Sequence, residues 1–412
     1  MTASPIDPVT RLIHHPYVPP EGFSAPQPGI HKASTVFFAN VAALRSRDWR
    51  HKSGYTYGLH GTPTTFLLEE RLCDLEGGKQ CLLAPSGLAA IATVSLGLLR
   101  TGEEVLIPEN AYGPNRALAE GELASWGITH RLYDPMNPQD MAEKISERTR
   151  LVWLEAPGSV TMEFPDLRAQ VRLCRERGVT TALDNTWGAG LAFRPFDLDG
   201  DAPGGLGVDI SVQALTKYPS GGGDVLMGSV ITRDEALHRR LKLSHMRLGI
   251  GVGANDAEAI LRSLPSIGLR YRAQDLAGRQ LARWCQTQPQ FVQVLHPAIA
   301  GAPGHEHWRA LCAGAETHAD AGMAAGLFSV IFDPVHDQTR VDAFCDALRL
   351  FRIGYSWGGP ISLVVPYDLG GMRTAWPAQL ARGALVRFSV GLEGVADLIQ
   401  DLGQAWQHAV GA

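Results

Sequence analysis

The stretch "VDISVQALTKYPSGGGD", residues 208–224, joins an apolar, β-branched run to a lysine and three consecutive glycines. A short run of this kind is typical of a buried strand, and Lys217 stands directly after it. Similar runs alternate with helical segments from about residue 66 to residue 262. This alternation predicts an α/β fold with a mostly parallel sheet and helices on both of its faces.

Polar side chains follow several of these runs, at the point where each predicted strand ends. Tyr112, Ser159, Asp184 and Lys217 all stand in such positions. Because ligand sites in open parallel sheets form at the carboxyl ends of the strands, we expect the functional site there.

Composition excludes several classes of function. The chain has 412 residues, of which 45% are hydrophobic and 19% charged, and its net charge is -5. These values favour a globular protein of two or three domains and argue against nucleic acid or an anionic membrane as partner. Six scattered cysteines without a CxxC pair, and the lack of a long apolar run, predict a soluble cytoplasmic protein.

The chain divides into three predicted parts. Residues 1–65 are rich in Pro, Gly and His, with one short helix expected in "FFANVAALRSR". This N-terminal arm has no core of its own, so we expect it to lie on the same chain or on a neighbouring subunit. Residues 66–264 form the large domain, and residues 265–412 form a smaller α+β C-terminal domain.

The C-terminal part also has recognisable elements. Strands are expected at "GLFSVIFD" and "ALVRFSVG", and the helical segment after residue 253 is expected to break at Pro265 and Gly268. The last helix is amphipathic, with one apolar face formed by Leu398, Leu402, Trp406 and Val410.

A lysine and an aspartate at strand ends are what an enzyme that uses pyridoxal phosphate requires. Lys217 would form the Schiff base, and Asp184 would keep the pyridinium nitrogen protonated. Taken singly, Asp184 is explained equally well as a turn cap and Lys217 as a surface side chain. The Ser86-Gly87 turn opens a helix whose N-terminus favours a phosphate, and Tyr112 offers an aromatic face for the ring.

Seven stretches, in one order from about residue 30 to the C-terminus, resemble the pyridoxal-dependent transsulfuration enzymes. They are "YGLHGTPTTFLLEERLCDLEGG", "ENAYGPN", "LEAPGSVTMEFPDL", "LDNTWGAG", "QALTKY", "YSWGG" and "VRFSVGLEGVADLI". Two of them, "PGSVTMEFPD" and "YSWGG", favour the branch of the bacterial cystathionine β-lyases. The resemblance implies the aspartate-aminotransferase-like fold type I. In this fold a large domain with a mostly parallel seven-stranded sheet is joined to a smaller α+β domain.

The resemblance also implies roles for the cofactor-binding residues. Lys217 would hold pyridoxal 5'-phosphate and act as general base, Asp184 would bind its ring nitrogen, and Tyr112 would stack on the ring. The phosphate would be bound by Gly87, Leu88 and Thr216, and by Tyr57 of a neighbouring subunit. The implied assembly is therefore a homo-oligomer, a dimer of dimers.

For the amino-acid substrate, the resemblance implies that Arg387 grips the α-carboxylate. Ser356, Trp357 and Tyr57 would line the substrate pocket. The implied reaction is β-elimination of L-cystathionine to homocysteine, pyruvate and ammonia. Alternatives are a γ-lyase, a γ-synthase, a cysteine or sulfoxide lyase and, more remotely, a non-catalytic protein with this fold.

Three positions depart from the family pattern. Leu59 and Ala214 replace an arginine and a serine that often bind the phosphate, and His245 replaces a tyrosine found in some β-lyases near the substrate's distal end. Tyr112 has two open roles, since its phenol could stack only or could accept a proton from the substrate ammonium. The histidines around "HPAIAGAPGHEHW" are interpreted as solvated, so no metal site is expected.

Overall fold

The computed structural model describes residues 7–14, 21–22, 25–49, 52, 54–200, 205–314, 316, 318 and 320–411. Among these residues, the α-helices before the first strand are α1 (Pro8–Ile13), α2 (Val41–Arg45) and α3 (Pro63–Glu76). Asn40 caps α2 by accepting a hydrogen bond from the N–H of Ala43, so the predicted helix in "FFANVAALRSR" begins only there. The arm also contains α1, which was not predicted and whose Leu12 is fully buried.

The next part of the chain alternates strands with helices as predicted. Its strands are β1 (Gln80–Ala84), β2 (Glu104–Pro108), β3 (Thr129–Tyr133), β4 (Thr149–Glu155), β5 (Thr180–Asp184), β6 (Ile210–Ala214) and β7 (Gly228–Thr232). Its helices are α4 (Gly87–Leu98), α5 (Gly113–Leu118), α6 (Pro138–Lys144) and α7 (Leu167–Glu176). The seven strands form one sheet in the order β1-β7-β6-β5-β4-β2-β3.

This sheet is parallel except for β7, which runs antiparallel to both of its neighbours. The mostly parallel seven-stranded sheet is therefore confirmed. Its central strands are buried along nearly their whole length, which explains their continuous apolar runs. The sequence interpretation missed β3, because it lies at an edge and most of its side chains are partly exposed.

The remaining helices are α8 (Glu235–Arg247), α9 (Ala254–Ser263), α10 (Ile267–Gln286), α11 (His305–Trp308), α12 (Gln338–Asp346) and α13 (Val395–Gly411). The remaining strands are β8 (Phe291–Leu295), β9 (Leu327–Phe332), β10 (Arg352–Ile353), β11 (Leu363–Tyr367) and β12 (Leu385–Ser389). They form a second sheet in the order β10-β11-β12-β9-β8, antiparallel except between β10 and β11. The smaller α+β unit is thereby confirmed.

One apolar core contains side chains from both sheets. A single cluster of buried side chains extends from Leu12 in α1 through Tyr218, which follows β6, to Leu327 in β9 and Leu385 in β12. Tyr218 also accepts a hydrogen bond at its hydroxyl from the N–H of Gly326, 2.9 Å away. The turn after β6 is therefore bound directly to the residue that precedes β9 of the second sheet. The domain limits at residues 65 and 264 stay predictions.

Two details of the C-terminal part correct the sequence interpretation. The helix breaks at Pro265, but Gly268 lies inside α10, where a Cβ would approach Val9 Cγ2 to 2.9 Å. The glycine thus allows α1 to pack closely and does not end a helix. Val410 is 53% exposed and does not belong to the apolar face of α13. None of the helices in the described ranges combines the length and apolar composition needed to cross a bilayer.

Candidate active site

Neighbouring strands of the first sheet bring the predicted residues to one edge. Asp184 ends β5, and Lys217 lies three residues beyond the end of β6. Glu155 ends β4 and stands directly beside Asp184 in the parallel register. Tyr112 follows β2 and caps α5. Because β5 and β4 lie between β6 and β2 in the sheet, Asp184 and Glu155 separate Lys217 from Tyr112.

Lys217 contacts Ser356 and Trp357, which lie between β10 and β11 of the second sheet. Its Nζ donates a hydrogen bond to Ser356 Oγ at 2.9 Å and lies 5.6 Å from the centre of the Trp357 ring. Burial, followed by the charge of Arg387, lowers the pKa of Lys217 to about 8, and the charge of Asp184 opposes this shift. The neutral amine, which a nucleophile or a general base requires, is therefore far more populated near physiological pH than in an ordinary lysine.

The "YSWGG" turn reaches Lys217 in a strained conformation. Ser356 has a φ of 145°, in the region that glycine adopts more readily than other residues. Gly358 has a φ of 77°, and a Cβ there would lie 2.9 Å from the backbone nitrogen of Tyr218. The turn is therefore packed directly on the backbone that carries Lys217, and only glycine permits this contact at position 358.

Asp184 is oriented by Thr186, through one oxygen only. Its Oδ1 accepts hydrogen bonds from the backbone N–H of Thr186 at 3.0 Å and from the Thr186 hydroxyl at 2.5 Å. Thr186 Oγ1 in turn accepts from the N–H of Ala214 at 2.9 Å, which ties the end of β5 to the end of β6. Within the described chain, Asp184 Oδ2 accepts no hydrogen bond. One carboxylate oxygen thus remains free to bind a ligand.

Burial raises the pKa of Asp184, while the hydrogen bonds from Thr186 and the charge of Lys217 lower it. A cationic N–H donor next to this carboxylate would stabilise its ionised form in the same way.

Tyr112 is fixed at its backbone by a residue that the sequence interpretation missed. Its N–H donates to Glu155 Oε2 at 2.8 Å, and its side chain is 40% exposed. Burial, with the charge of Asp184 next, raises the pKa of Glu155 well above its usual range. Burial and the charges of Asp184 and Glu155 raise the pKa of Tyr112 as well.

Two of the predicted phosphate-binding residues, Gly87 and Leu88, form the start of α4. Ser86 caps the helix by accepting from the N–H of Ala89 at 3.0 Å, and no described residue accepts a hydrogen bond from the N–H groups of Gly87 and Leu88. A Cβ at Gly87 would lie 2.6 Å from Ala214 Cβ, so the helix begins in contact with β6. Thr216 lies in the turn after β6, with its Oγ1 3.4 Å from the backbone nitrogen of Met227.

Arg387 lies in the middle of β12 and is buried. Its Nη1 donates to the carbonyl of Ser159 at 3.1 Å, and its guanidinium carbon lies 5.2 Å from the centre of the Tyr367 ring. Burial lowers its pKa, although the neighbouring tyrosines oppose that shift. No described acidic residue pairs with Arg387, so its charge is available for a carboxylate ligand. Tyr367 was not predicted.

Some predicted residues lie elsewhere. The ring of Tyr57 packs edge-on against the ring of His60 on the arm, with 5.9 Å between ring centres. Leu59 faces Gly251, where a Cβ would lie 3.2 Å from Leu59 Cδ1. His245 is buried in α8 and donates from Nε2 to the carbonyl of Leu83 at 2.7 Å. It is therefore engaged within the chain and not exposed to a substrate.

The donor set fits pyridoxal phosphate. Gly87 and Leu88 present two unpaired N–H groups at a helix N-terminus for the phosphate, and Asp184 Oδ2 is free for the ring nitrogen. Lys217 offers a partly neutral amine for the aldehyde, and Tyr112 offers an exposed ring. The groups for the phosphate, the ring nitrogen, the aldehyde and the ring face each follow a different strand of the first sheet, as expected for a ligand site in a parallel sheet.

Comparisons with known proteins agree with this geometry. The family model described as Cys/Met metabolism PLP-dependent enzyme matches residues 9–407. The chain is 37% identical to a cystathionine beta-lyase of Bordetella avium, covering 97% of this chain and 98% of the relative. It is 33% identical to an L-alanine/L-glutamate racemase of Wolbachia pipientis wMel, covering 85% and 82%. The structure of cystathionine gamma synthase from Xanthomonas oryzae pv. oryzae in complex with cystathionine superposes with a TM-score of 0.84. Identity is 26%, and the match covers 99% of this chain and all of that one.

Proposed function

Since the chain belongs to the Cys/Met metabolism PLP-dependent enzyme family, we propose that it cleaves L-cystathionine by β-elimination. The observation that carries the proposal is the amine of Lys217, which has a lowered pKa and stands near Asp184 and Arg387. The choice of cystathionine rests on the relatives, among them the Bordetella enzyme. The products are homocysteine, pyruvate and ammonia.

Pyridoxal phosphate, when bound, supplies an electron-withdrawing ring that weakens the Cα–H bond of the substrate. Asp184 keeps the ring nitrogen protonated, and Arg387 binds the α-carboxylate through two parallel N–H groups. Lys217 removes the Cα proton and returns a proton to the sulfur as the Cβ–S bond breaks. Ser356 accepts a hydrogen bond from the amine of Lys217 and so directs it toward Cα. Water then converts the remaining three-carbon fragment to pyruvate and ammonia.

The test is product identification with purified protein and L-cystathionine. Pyruvate and homocysteine in equal amounts, absent with Lys217→Ala, are expected. Release of 2-oxobutyrate and cysteine would make the protein a γ-lyase and contradict the proposal. A panel of cysteine, cysteine sulfoxide and acylated homoserine distinguishes the other family activities.

The likeness to the Wolbachia racemase supports a second candidate function. Racemisation of a small amino acid requires one group that removes the Cα proton and another that returns a proton to the opposite face. Lys217, whose pKa is lowered, is the candidate for the first group, and Tyr112, whose raised pKa keeps its phenol protonated, is the candidate for the second. Incubation with L-alanine in D₂O, followed by chiral separation, tests it. Tyr112→Phe is expected to abolish D-alanine formation while lyase turnover continues. Equal loss of both activities contradicts the two-base assignment.

We also infer a homo-oligomer in which the arm covers a second copy. Phe37 is 94% exposed and Val41 is 59% exposed, which is costly for apolar side chains unless another surface covers them. Tyr57 would then reach the partner's phosphate. Mixing inactive Tyr57→Ala and Lys217→Ala subunits under conditions that exchange subunits is expected to restore activity. An inactive mixture, or an active monomer in light scattering, contradicts the inference. The six free cysteines favour a cytoplasmic location.

A further inference from the structure

A buried ion pair joins the loop between β11 and β12, residues 368–384, to the segment between β4 and α7. Arg373 Nη2 contacts Glu163 Oε2 and donates to Thr161 Oγ1 at 2.7 Å. Only 5% of the Arg373 side chain and 1% of the Glu163 side chain is exposed. Gln379 Nε2 contacts the other oxygen, Oε1. Both carboxylate oxygens of Glu163 are therefore held by this loop.

Glu163 also organises the turn that carries Ser159. Its Oε2 accepts from Asn110 Nδ2 at 3.3 Å, and its backbone carbonyl accepts from the N–H of Gly158 at 3.0 Å. The carbonyl of Asn110 accepts from the N–H of Ser159 at 2.9 Å. A Cβ at Gly158 would lie 2.3 Å from Asn110 Nδ2, so the turn is closely packed around these bonds. The position of Ser159 thus depends on Glu163.

Ser159 in turn provides the hydrogen-bond acceptor that holds Arg387. The Arg387 guanidinium is located by the Ser159 carbonyl at 3.1 Å and by the Tyr367 ring, and no described carboxylate fixes it. A shift of the Ser159 carbonyl would therefore move the guanidinium. Bidentate recognition of a carboxylate depends on this geometry, and a misplacement of about 1 Å is sufficient to lower catalysis roughly a hundredfold.

The same loop also contacts the segment around Tyr112. Thr374 Oγ1 contacts Glu109 Oε1, three residues before Tyr112. Arg116, one helical turn after Tyr112, donates from Nη1 to the carbonyl of Met372 at 3.4 Å. The loop thus contacts both the segment that holds Arg387 and the segment that carries Tyr112.

We propose that Arg373 is a positioning residue, which through Glu163 and Ser159 places Arg387 to bind the α-carboxylate of the substrate. The inference rests on the proposed function in one respect, the assignment of the α-carboxylate to Arg387. It adds a residue that makes no contact with substrate or cofactor and that sets the affinity for every α-amino acid alike.

The test measures binding of glycine and of glycinamide to the holoenzyme, by the change in its visible absorption. Glycine has no β-carbon and is achiral, so neither elimination nor racemisation affects the measurement. Arg373→Ala is expected to weaken glycine binding about tenfold or more, since the carboxylate contact is misplaced. Glycinamide, which lacks the carboxylate, should bind unchanged, as should pyridoxal phosphate to the apo-protein. Arg373→Lys should recover part of the glycine affinity.

Arg382→Ala is the matched control. Arg382 is an exposed arginine of the same loop whose guanidinium carbon lies 4.6 Å from the centre of the Trp376 ring, and it makes no described contact with Glu163. Equal weakening by Arg382→Ala, or equal weakening of glycine and glycinamide by Arg373→Ala, would overturn the proposal.

Two further variants test the proposal even if Arg373→Ala does not fold or folds poorly. Glu163→Gln keeps the shape of the side chain and removes its charge, so it should weaken glycine binding too, and wild-type affinity in the folded variant would overturn the proposal. If Arg373 acts through Arg387, the double variant Arg373→Ala/Arg387→Ala binds glycine no more weakly than Arg387→Ala alone. Additive losses would contradict that route. Failure to cleave cystathionine leaves all these outcomes intact, because glycine binding does not depend on which thioether is cleaved.

Discussion

The amine of Lys217 donates a hydrogen bond to Ser356 Oγ at 2.9 Å, and Ser356 accepts it from a backbone conformation with a φ of 145°. The two residues are 139 positions apart and belong to turns that follow different sheets. Strain at a residue that contacts a reactive amine indicates that function, and not stability, selected the side chain. The substitutions at position 356 should therefore separate stability from activity.

Ser356→Gly should be more stable than Ser356→Ala by about 1 kcal/mol, because glycine relieves the strain and alanine does not. Both variants should turn over substrate more slowly than the wild type, since neither accepts the hydrogen bond from Lys217. Urea denaturation of the apo-proteins gives the free energies of unfolding. Equal stability of the two variants would show that the backbone is not strained.

The rate at which apo-protein combines with pyridoxal phosphate should rise with pH, with a midpoint at about 8. Only the neutral amine attacks the aldehyde, and the pKa of Lys217 is lowered to about 8 by burial and by Arg387. Arg387→Gln removes the second of these causes, so the pKa of Lys217 and the midpoint should both move upward. Stopped-flow absorbance measures the rate. A midpoint that stays in place or moves down would exclude the electrostatic coupling.

Thr186→Val should weaken binding of pyridoxal phosphate to the apo-protein by roughly tenfold, whereas Thr186→Ser should not. Valine keeps the volume but removes the hydroxyl that bonds Asp184, and hydrogen bonds to charged groups contribute about 1.5–3 kcal/mol. It also leaves the N–H of Ala214 unpaired. Titration of apo-protein with the cofactor gives the dissociation constants, and wild-type affinity in the valine variant would refute the role of Thr186.

Ionisation of the Glu76 carboxyl should lower the free energy of unfolding as pH rises from about 5 to about 8. Burial raises the pKa of this fully buried carboxyl to about 7, despite hydrogen bonds from Asn185 and Ser211 that favour its ionised form. At pH values between the pKa of Glu76 in the unfolded chain and about 7, the folded state therefore binds more protons than the unfolded state. Its contribution to stability is fully present below that range and is lost as pH rises through it.

The measurable consequence is a pH-dependent effect of Glu76→Gln. The glutamine should stabilise the protein relative to the wild type at pH 8, by up to about 3 kcal/mol, and have little effect at pH 5. Denaturation of both proteins at the two pH values provides the comparison. The same difference in stability at both pH values would contradict a raised pKa for Glu76.

The sequence predicted the residues whose chemistry is visible in their type and position. Lys217 and Asp184 follow β-branched runs, and a helix start at Gly87 follows Ser86, so local patterns were sufficient for these. Glu155 also ends a strand, in "VWLEAP", and that position could have identified it. Arg373 and Glu163 had no comparable pattern, because 210 residues separate them and neither ends a strand.

By itself, the sequence determined the alternation of strands and helices, the parallel first sheet and the set of reactive side chains, because these follow from local periodicity and from residue type. Only the tertiary structure decided which side chains meet. The strained turn at Ser356, the raised pKa of Glu155, the separation of Arg387 from every described acidic residue and the ion pair of Arg373 with Glu163 all depend on burial and long-range packing. Both are properties of the folded chain, since the free energy of a charge is set by its three-dimensional neighbours and not by its neighbours in sequence.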